Sequence, residues 1–305
     1  MPARSRSSVL AVGLLLLVFG AGAIIAAALL LGRTVPVIGT GGRVAVVPLD
    51  GVIGTGQTAL GALHQFRDDR SVRAFVIEIR SPGGSVGGSQ SLYRELRSLR
   101  DEDDRPVFAW IGDVGASGAY YAALGADSIF ALPGSITGSI GVIMEFPEID
   151  RLMEKAGLRL EVVKSGEHKD MGSPARKLTE SDRAVLQQVI DDTYGQFVDA
   201  VASNRNLPSD SVRALADGRI FSGARARELG LVDGIATFSE VVARAGRSAG
   251  LGPDPATIRP RERRVGILDL LTGVSETRLR DWLGSWTGWV GLGAGGAPRL
   301  LYQWR

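Results

Sequence analysis

Val107-Phe108-Ala109-Trp110-Ile111 is an unbroken apolar run of strand length. Gly115-Ala116-Ser117-Gly118-Ala119-Tyr120-Tyr121 follows it as a small-residue turn opening a helical pattern. A short buried strand that turns through small residues into a helix is the repeating step of an α/β fold. The same alternation runs outward in both directions. Val44–Leu49, Ala74–Ile79, Ser128–Leu132, Ser139–Met144 and Leu158–Val163 read as strands. His64–Arg70 ends a short helix, and Gln90–Arg100 and Gly118–Leu124 have helical period. This order predicts a largely parallel sheet. Thr179-Glu180-Ser181-Asp182 reads as an N-cap with an acidic third residue, opening a helix to about Asn204 whose apolar stripe is Val185, Val189, Ile190, Phe197 and Val201. Ala216–Gly223 reads as turn, strand and cap, and helices follow at Ala224–Leu229 and Phe238–Ala245.

Composition narrows the function classes. The 305 residues carry a formal charge of +2 with no basic stripe interleaved with aromatics, which argues against nucleic acid. Cysteine is absent, so thiol catalysis, thiolate-ligated metals and disulfides are excluded. Val9–Leu31 holds no charge and no proline over 23 residues, about 35 Å as a helix. That is long enough to span a bilayer, and Arg4 and Arg6 before it favour a cytoplasmic N-terminus. The expected layout is a cytoplasmic N-terminus and transmembrane anchor at 1–32, a linker at 33–42, a catalytic domain at 43–251 outside the cytoplasmic membrane, and a C-terminal tail at 252–305. The tail holds Trp282, Trp286, Trp289 and Trp304 among glycines and is read as packing on its own protein, on a neighbouring subunit or on a membrane surface.

Ser117 stands where strand yields to helix, a place for packing or for a nucleophile, and seven residues do not decide which. Ser81-Pro82-Gly83-Gly84 fits a type II turn that can leave the Gly84 N–H pointing outward as an oxyanion donor. If Ser117 opens a helix, the Gly118 N–H points the same way with the helix dipole behind it. A nucleophilic serine needs a base. Only four of the 35 basic residues are lysines, and Lys169 lies just after the Leu158–Val163 run. A free lysine titrates near 10.4. A working base needs about 7–8, so it must be withdrawn from water. Ser139 is a candidate hydroxyl to orient the amine.

R-S-P-G-G (80–84), A-S-G-A-Y-Y (116–121), T-G-S-I-G-V-I-M-E (137–145), K-S-G-E-H-K-D (164–170) with S-P (173–174), and A-D-G-R-I-F-S-G (216–223) with A-R-E-L-G-L-V-D (226–233) occur in one order. Together, over roughly residues 43–245, they resemble the signal peptide peptidase A family, also called protease IV, in its short single-domain form. The resemblance implies the stacked ββα superhelix shared by the Clp protease proteolytic subunit and the crotonases. It implies a Ser/Lys dyad with Ser117 as nucleophile and Lys169 as base, Gly84 and Gly118 as oxyanion donors and Ser139 as the lysine-orienting hydroxyl, with no metal or organic cofactor. It further implies remnant signal peptides as substrates, the membrane as a partner, and a homo-oligomer, an octamer in the family's short form. Ala119 departs from the glycine common in the family, which puts the width of the site in doubt.

Rival readings remain. Gly83-Gly84-Ser85-Val86-Gly87 matches the G-x-S-x-G elbow of α/β-hydrolases, with Ser85 as nucleophile of a Ser-His esterase and His168 downstream. An acyl-CoA enzyme of crotonase type would share the oxyanion frame. An inactive membrane scaffold would need no base at all.

Overall fold

The computed structural model of the chain describes residues 41–54, 58–260 and 301–303. The apolar run Val9–Leu31 and the tryptophans of the tail lie outside them. Among the described residues no helix is long and apolar enough to cross a membrane. The described elements belong to one compact unit that begins at Gly42.

Strands β1 (Arg43–Asp50), β2 (Val72–Ser81) and β4 (Val107–Ala116) form the parallel centre of an eight-stranded sheet ordered β7-β6-β4-β2-β1-β9. The far edge of β4 is shared lengthwise. Phe108–Ile111 pairs with β5 (Ser128–Ala131), and Val114–Ala116 pairs with β6 (Ile136–Gly138). Beyond them lie β7 (Ile220–Ser222), antiparallel to β6, and β8 (Gly234–Ile235), parallel to β5. The outer edge strand β9 (Thr257–Ile258) comes from the proline-bearing segment after residue 251 and pairs with Val44–Ala45 of β1. The prediction of an α/β architecture with a parallel-dominated sheet holds.

Unbroken apolar runs are needed here because both faces of the sheet are covered. Ala45, Val47, Leu49, Phe75, Ile77, Ile79, Ala109 and Ile111 face one core. Helices α1 (Thr58–Arg67), α2 (Val86–Asp101) and α3 (Gly118–Ala123) lie on that side, joined by Phe197, Val198 and Val201 of α5 (Glu180–Arg205). The alternate residues Val44, Val46, Ala74, Val76, Phe108 and Trp110 face a smaller core closed by α8 (Phe238–Ser248). Tyr121 packs edge-on to Tyr93 and to Phe197, at centroid distances of 5.2 and 5.0 Å, and so links α3 to α2 and α5. Tyr120 is fully buried, and its hydroxyl donates to the Leu231 carbonyl at 2.7 Å.

Three sequence expectations need correction. Leu158–Val163 alternates like a strand but pairs with nothing among the described residues; it runs as exposed coil, with Val163 97% exposed. The strand expected at Ser139–Met144 lies earlier, at Ile136–Gly138, because the chain turns at Gly138 and Ser139, both at positive φ. On α5, Val189 is exposed, and the buried face instead includes Asp182, Leu186 and Thr193.

Candidate active site

The predicted oxyanion and nucleophile residues meet at the C-terminal ends of neighbouring parallel strands, where open α/β sheets place ligands. The register pairs Ser81 with Gly115 and Ala116 with Gly138. Ser117 and Ser139, each one residue further on, are therefore side by side. The Ser117 N–H donates to the Gly138 carbonyl at 2.8 Å, and the Ser139 N–H to the Arg219 carbonyl at 2.8 Å.

Ser117 is strained. Its φ of 54° and ψ of −121° lie where L-residues are seldom found, in a turn that leads from β4 directly into α3. It is 1% exposed, and its side chain makes no capping bond. Strain of this kind costs on the order of 1–3 kcal/mol and persists only where the surroundings impose it, which is why it gathers at functional sites. A strained serine between strand and helix is the geometry of a nucleophile elbow. Gly118 is the first residue of α3 and is buried. Ala119 is also buried, but within the main core, so its methyl serves packing.

Gly83 has a φ of 99°, as the turn after Pro82 predicts, and the chain then runs into β3 (Gly83–Ser85), against which α3 packs. One edge of β3 holds Ile53: the Ile53 N–H donates to the Gly83 carbonyl at 2.8 Å and the Ser85 N–H to the Ile53 carbonyl at 2.7 Å. A Cβ on Gly84 would fall on the Ile53 backbone, so only glycine fits. Polar groups alternate sides along a strand, so the Gly84 N–H faces away from Ile53, toward the opposite edge.

Lys169 does not belong to these strands. It sits exposed on a 3-10 turn (Glu167–Asp170) within a strap that leads into α5. The strap is held by ions. Arg176 reaches Asp170 at 2.8 Å and Asp182 at 2.6 Å. Lys164 meets Asp170 at 2.8 Å, and His168 meets Asp182 at 3.1 Å. Asp182, 1% exposed, also closes the predicted capping box with Thr179. The bond from Arg176, and then that from His168, holds the Asp182 carboxyl well below the usual range. Arg176 and then Lys164 do the same for Asp170. Sequence reading missed this network. Its one visible signal, the capping box, accounts for Asp182 but not for Arg176 six residues earlier.

The rival serines have other work. Ser85 has an ordinary φ of −62° and caps α2, its Oγ accepting from the Gly88 N–H at 3.3 Å. That is a helix cap, not an elbow. Ser181 lies 3.4 Å from His168 Nε2, whose ring also meets Asp182. The order resembles a triad, but Asp182 is committed to Arg176 and the cap, and Ser181 is unstrained within the first turn of α5.

The chain matches the family model for peptidase family S49 over residues 100–252. It is 41% identical to a candidate protease of Synechocystis sp., an alignment covering 76% of this chain and 83% of the relative. It is 33% identical to a candidate signal peptide peptidase of Enterococcus faecium, over 80% of this chain and 68% of that one. The chloroplastic serine protease SPPA of Arabidopsis thaliana is 29% identical over 70% of this chain, which spans only 32% of its length. The strained serine between strand and helix and the matches to these proteases agree: the chain belongs to peptidase family S49, the signal peptide peptidase A family, and is a serine peptidase.

Proposed function

We propose that the chain is an endopeptidase anchored in the cytoplasmic membrane by Val9–Leu31, acting outside that membrane on cleaved signal peptides and similar apolar peptides. The strained conformation of buried Ser117 beside Ser139 and β3 is the observation that carries this reading. In the reaction, Ser117 Oγ attacks the peptide carbonyl while the neutral Lys169 amine takes its proton. The oxyanion that forms is held by the N–H groups of Gly84 and Gly118, each worth about 3 kcal/mol in the transition state. The C–N bond then breaks and Lys169 returns the proton to the leaving amine; water, deprotonated by Lys169, attacks the acyl carbonyl, and as the Oγ–acyl bond breaks Lys169 gives that proton to Ser117 Oγ. Ser139 orients the lysine. Every proton is accounted for within the dyad and the attacking water, without a cofactor.

A lysine base must be drier than the exposed position of Lys169 in the single chain. The unpaired, exposed run at Leu158–Val163 supports a homo-oligomer in which a second copy covers this segment and encloses the base. The stacked ββα superhelix is the form of α/β fold proposed for each subunit, supported by the lengthwise sharing of β4 between β5 and β6.

Hydrolysis of a fluorogenic apolar peptide across pH tests the reading in wild type, Ser117→Ala and Lys169→Ala. Both variants are expected to lose at least about 10³-fold in kcat, and wild type to gain activity along a basic limb. An active Lys169→Ala would move the base elsewhere. An inert wild type that takes no serine-directed label would favour the scaffold.

A further inference from the structure

The apolar run of β4 ends at Ile111. Up to that residue β4 pairs with β2 on one edge and β5 on the other, with Ile111 opposite both Ile79 and Ala131. It then takes four residues to reach Gly115 while β2 takes two to reach Ser81, and on its other edge it leaves β5 for β6. A bulge of this kind strips backbone groups of their ladder partners and re-aims the chain that follows, and bulges are frequent beside active sites. Gly112 and Gly115 are buried, so their carbonyls need partners from within the protein. Two buried hydroxyls supply them. Ser135 Oγ accepts from the Leu132 N–H at 2.9 Å and, with one proton to give, lies 3.0 Å from the Ile111 carbonyl and 2.5 Å from that of Gly112. It stands where β5 parts from β4 and carries the ladder across the gap. Thr137 Oγ1 donates to the Gly115 carbonyl at 2.7 Å. The backbone before Ser117 is thereby pinned to β6 at two successive peptides, the Gly115 carbonyl by the Thr137 hydroxyl and the Ser117 N–H by the Gly138 carbonyl. On the far side the Ser117 carbonyl takes the Tyr121 N–H at 2.9 Å. Held on both sides, Ser117 keeps its φ of 54°.

We propose that Thr137 is a positioning residue for the peptidase: its hydroxyl, with that of Ser135 behind it, locks the bulge of β4 against β6 and so holds Ser117 in the strained conformation from which its Oγ attacks. The proposal rests on the reading of Ser117 as the nucleophile and adds what sets its geometry. Both hydroxyls are engaged by backbone carbonyls, so neither is offered to substrate. The influence of Thr137 falls on where Oγ stands. A nucleophile displaced by about 1 Å loses on the order of 10²-fold in rate. The groups that hold the rest of the peptide stay in place, so the loss belongs to kcat and not to KM.

The test uses the full chain with Thr137→Val, which keeps the branched shape and removes the hydroxyl, and Thr137→Ser, which keeps the hydroxyl. In the Thr137→Val chain kcat is expected to fall about 10²-fold with KM unchanged, and labelling of Ser117 by a fluorophosphonate to slow in step. The Thr137→Ser chain should return to within about threefold of wild type. Thermal unfolding gives a readout that needs no activity. Without its hydrogen bond the Thr137→Val chain can relax Ser117, and the strain relieved offsets part of the loss. A Ser117→Gly background has no strain to relieve. Thr137→Val is therefore expected to lower Tm by about 2–4 °C more in the Ser117→Gly chain than in the Ser117 chain. An unchanged kcat in Thr137→Val, equal losses in Thr137→Val and Thr137→Ser, or an additive thermal cycle overturns the proposal. If Thr137→Val does not fold, Thr137→Ala takes its place in both measurements with the same expectations. A chain that folds with neither would make the hydroxyl a requirement of the fold and overturn its role at Ser117. If wild type hydrolyses no peptide and takes no label, the peptidase reading fails, while the thermal cycle still decides whether Thr137 holds Ser117.

Discussion

Ser117 combines two demands that its sequence neighbours show only in part. Small residues around it signalled a tight turn, and the scarcity of lysine drew attention to Lys169. Nothing in the sequence announced a φ of 54° at a non-glycine residue, because that value is imposed by β4, β6 and α3 together. Strain held for function predicts a trade between stability and activity. Ser117→Gly removes the steric conflict and is expected to stabilise the fold by about 1 kcal/mol, or about 2–4 °C in Tm, while abolishing hydrolysis. Calorimetry and a peptide assay on the same sample check both halves; a destabilised glycine variant would show that the serine is not strained. The other serines should behave as plain structural groups. Ser85→Ala is expected to keep peptidase activity and lose about 1 kcal/mol through its missing helix cap. Ser181→Ala and His168→Ala should each retain most of the activity, and near-total loss in either would reopen the histidine readings.

Elements whose apolar residues find partners within the chain were legible: β1, β2, β4, β5 and the helices that cover them follow their periodicity. The segment Leu158–Val163 was misread for a physical reason. Alternation marks a chain suited to a sheet, but a strand exists only when a neighbour accepts its hydrogen bonds. The strap after it is ordered by charge instead, and ion pairs between residues six apart leave no period to detect. Its carboxylates give it a signature in acid. Asp170 and Asp182 titrate lower in the folded chain than in the unfolded one, because Arg176 binds their charged forms. Their contribution is therefore complete above the unfolded value of about 3.9 and is lost as pH falls through the lower folded values. Wild-type stability should fall below about pH 4, and Asp182→Asn should flatten that slope while lowering stability at neutral pH. Urea unfolding at a series of pH values measures it; an unchanged slope would mean that the ion network is not formed in solution.

The molecule as a whole leaves Leu152, Leu158, Leu160, Val162 and Val163 exposed near the strap. Apolar groups gathered in this way mark an association surface. On the proposed assembly, Leu160→Asp with Val163→Asp is expected to reduce the mass measured by light scattering to that of one chain and to depress activity, because the base would lose its proposed cover. A variant still associated and fully active would remove the argument for a shared site. The order of synthesis bears on another surface. Val44 at the start of the sheet waits for Thr257, 213 residues later, to receive its outer neighbour. Until then, and past Ala45 also afterwards among the described residues, the outer edge of β1 is a template for any extended chain nearby. The Val44 N–H faces that edge, donating to the Ala256 carbonyl at 2.9 Å, so residue 48, four further on, faces it too. Residue 48 is proline and has no N–H to offer. The one break in an otherwise Val-rich strand thus falls where a growing chain is most exposed to aggregation, and replacing it with valine should raise the insoluble fraction during expression without touching the active site.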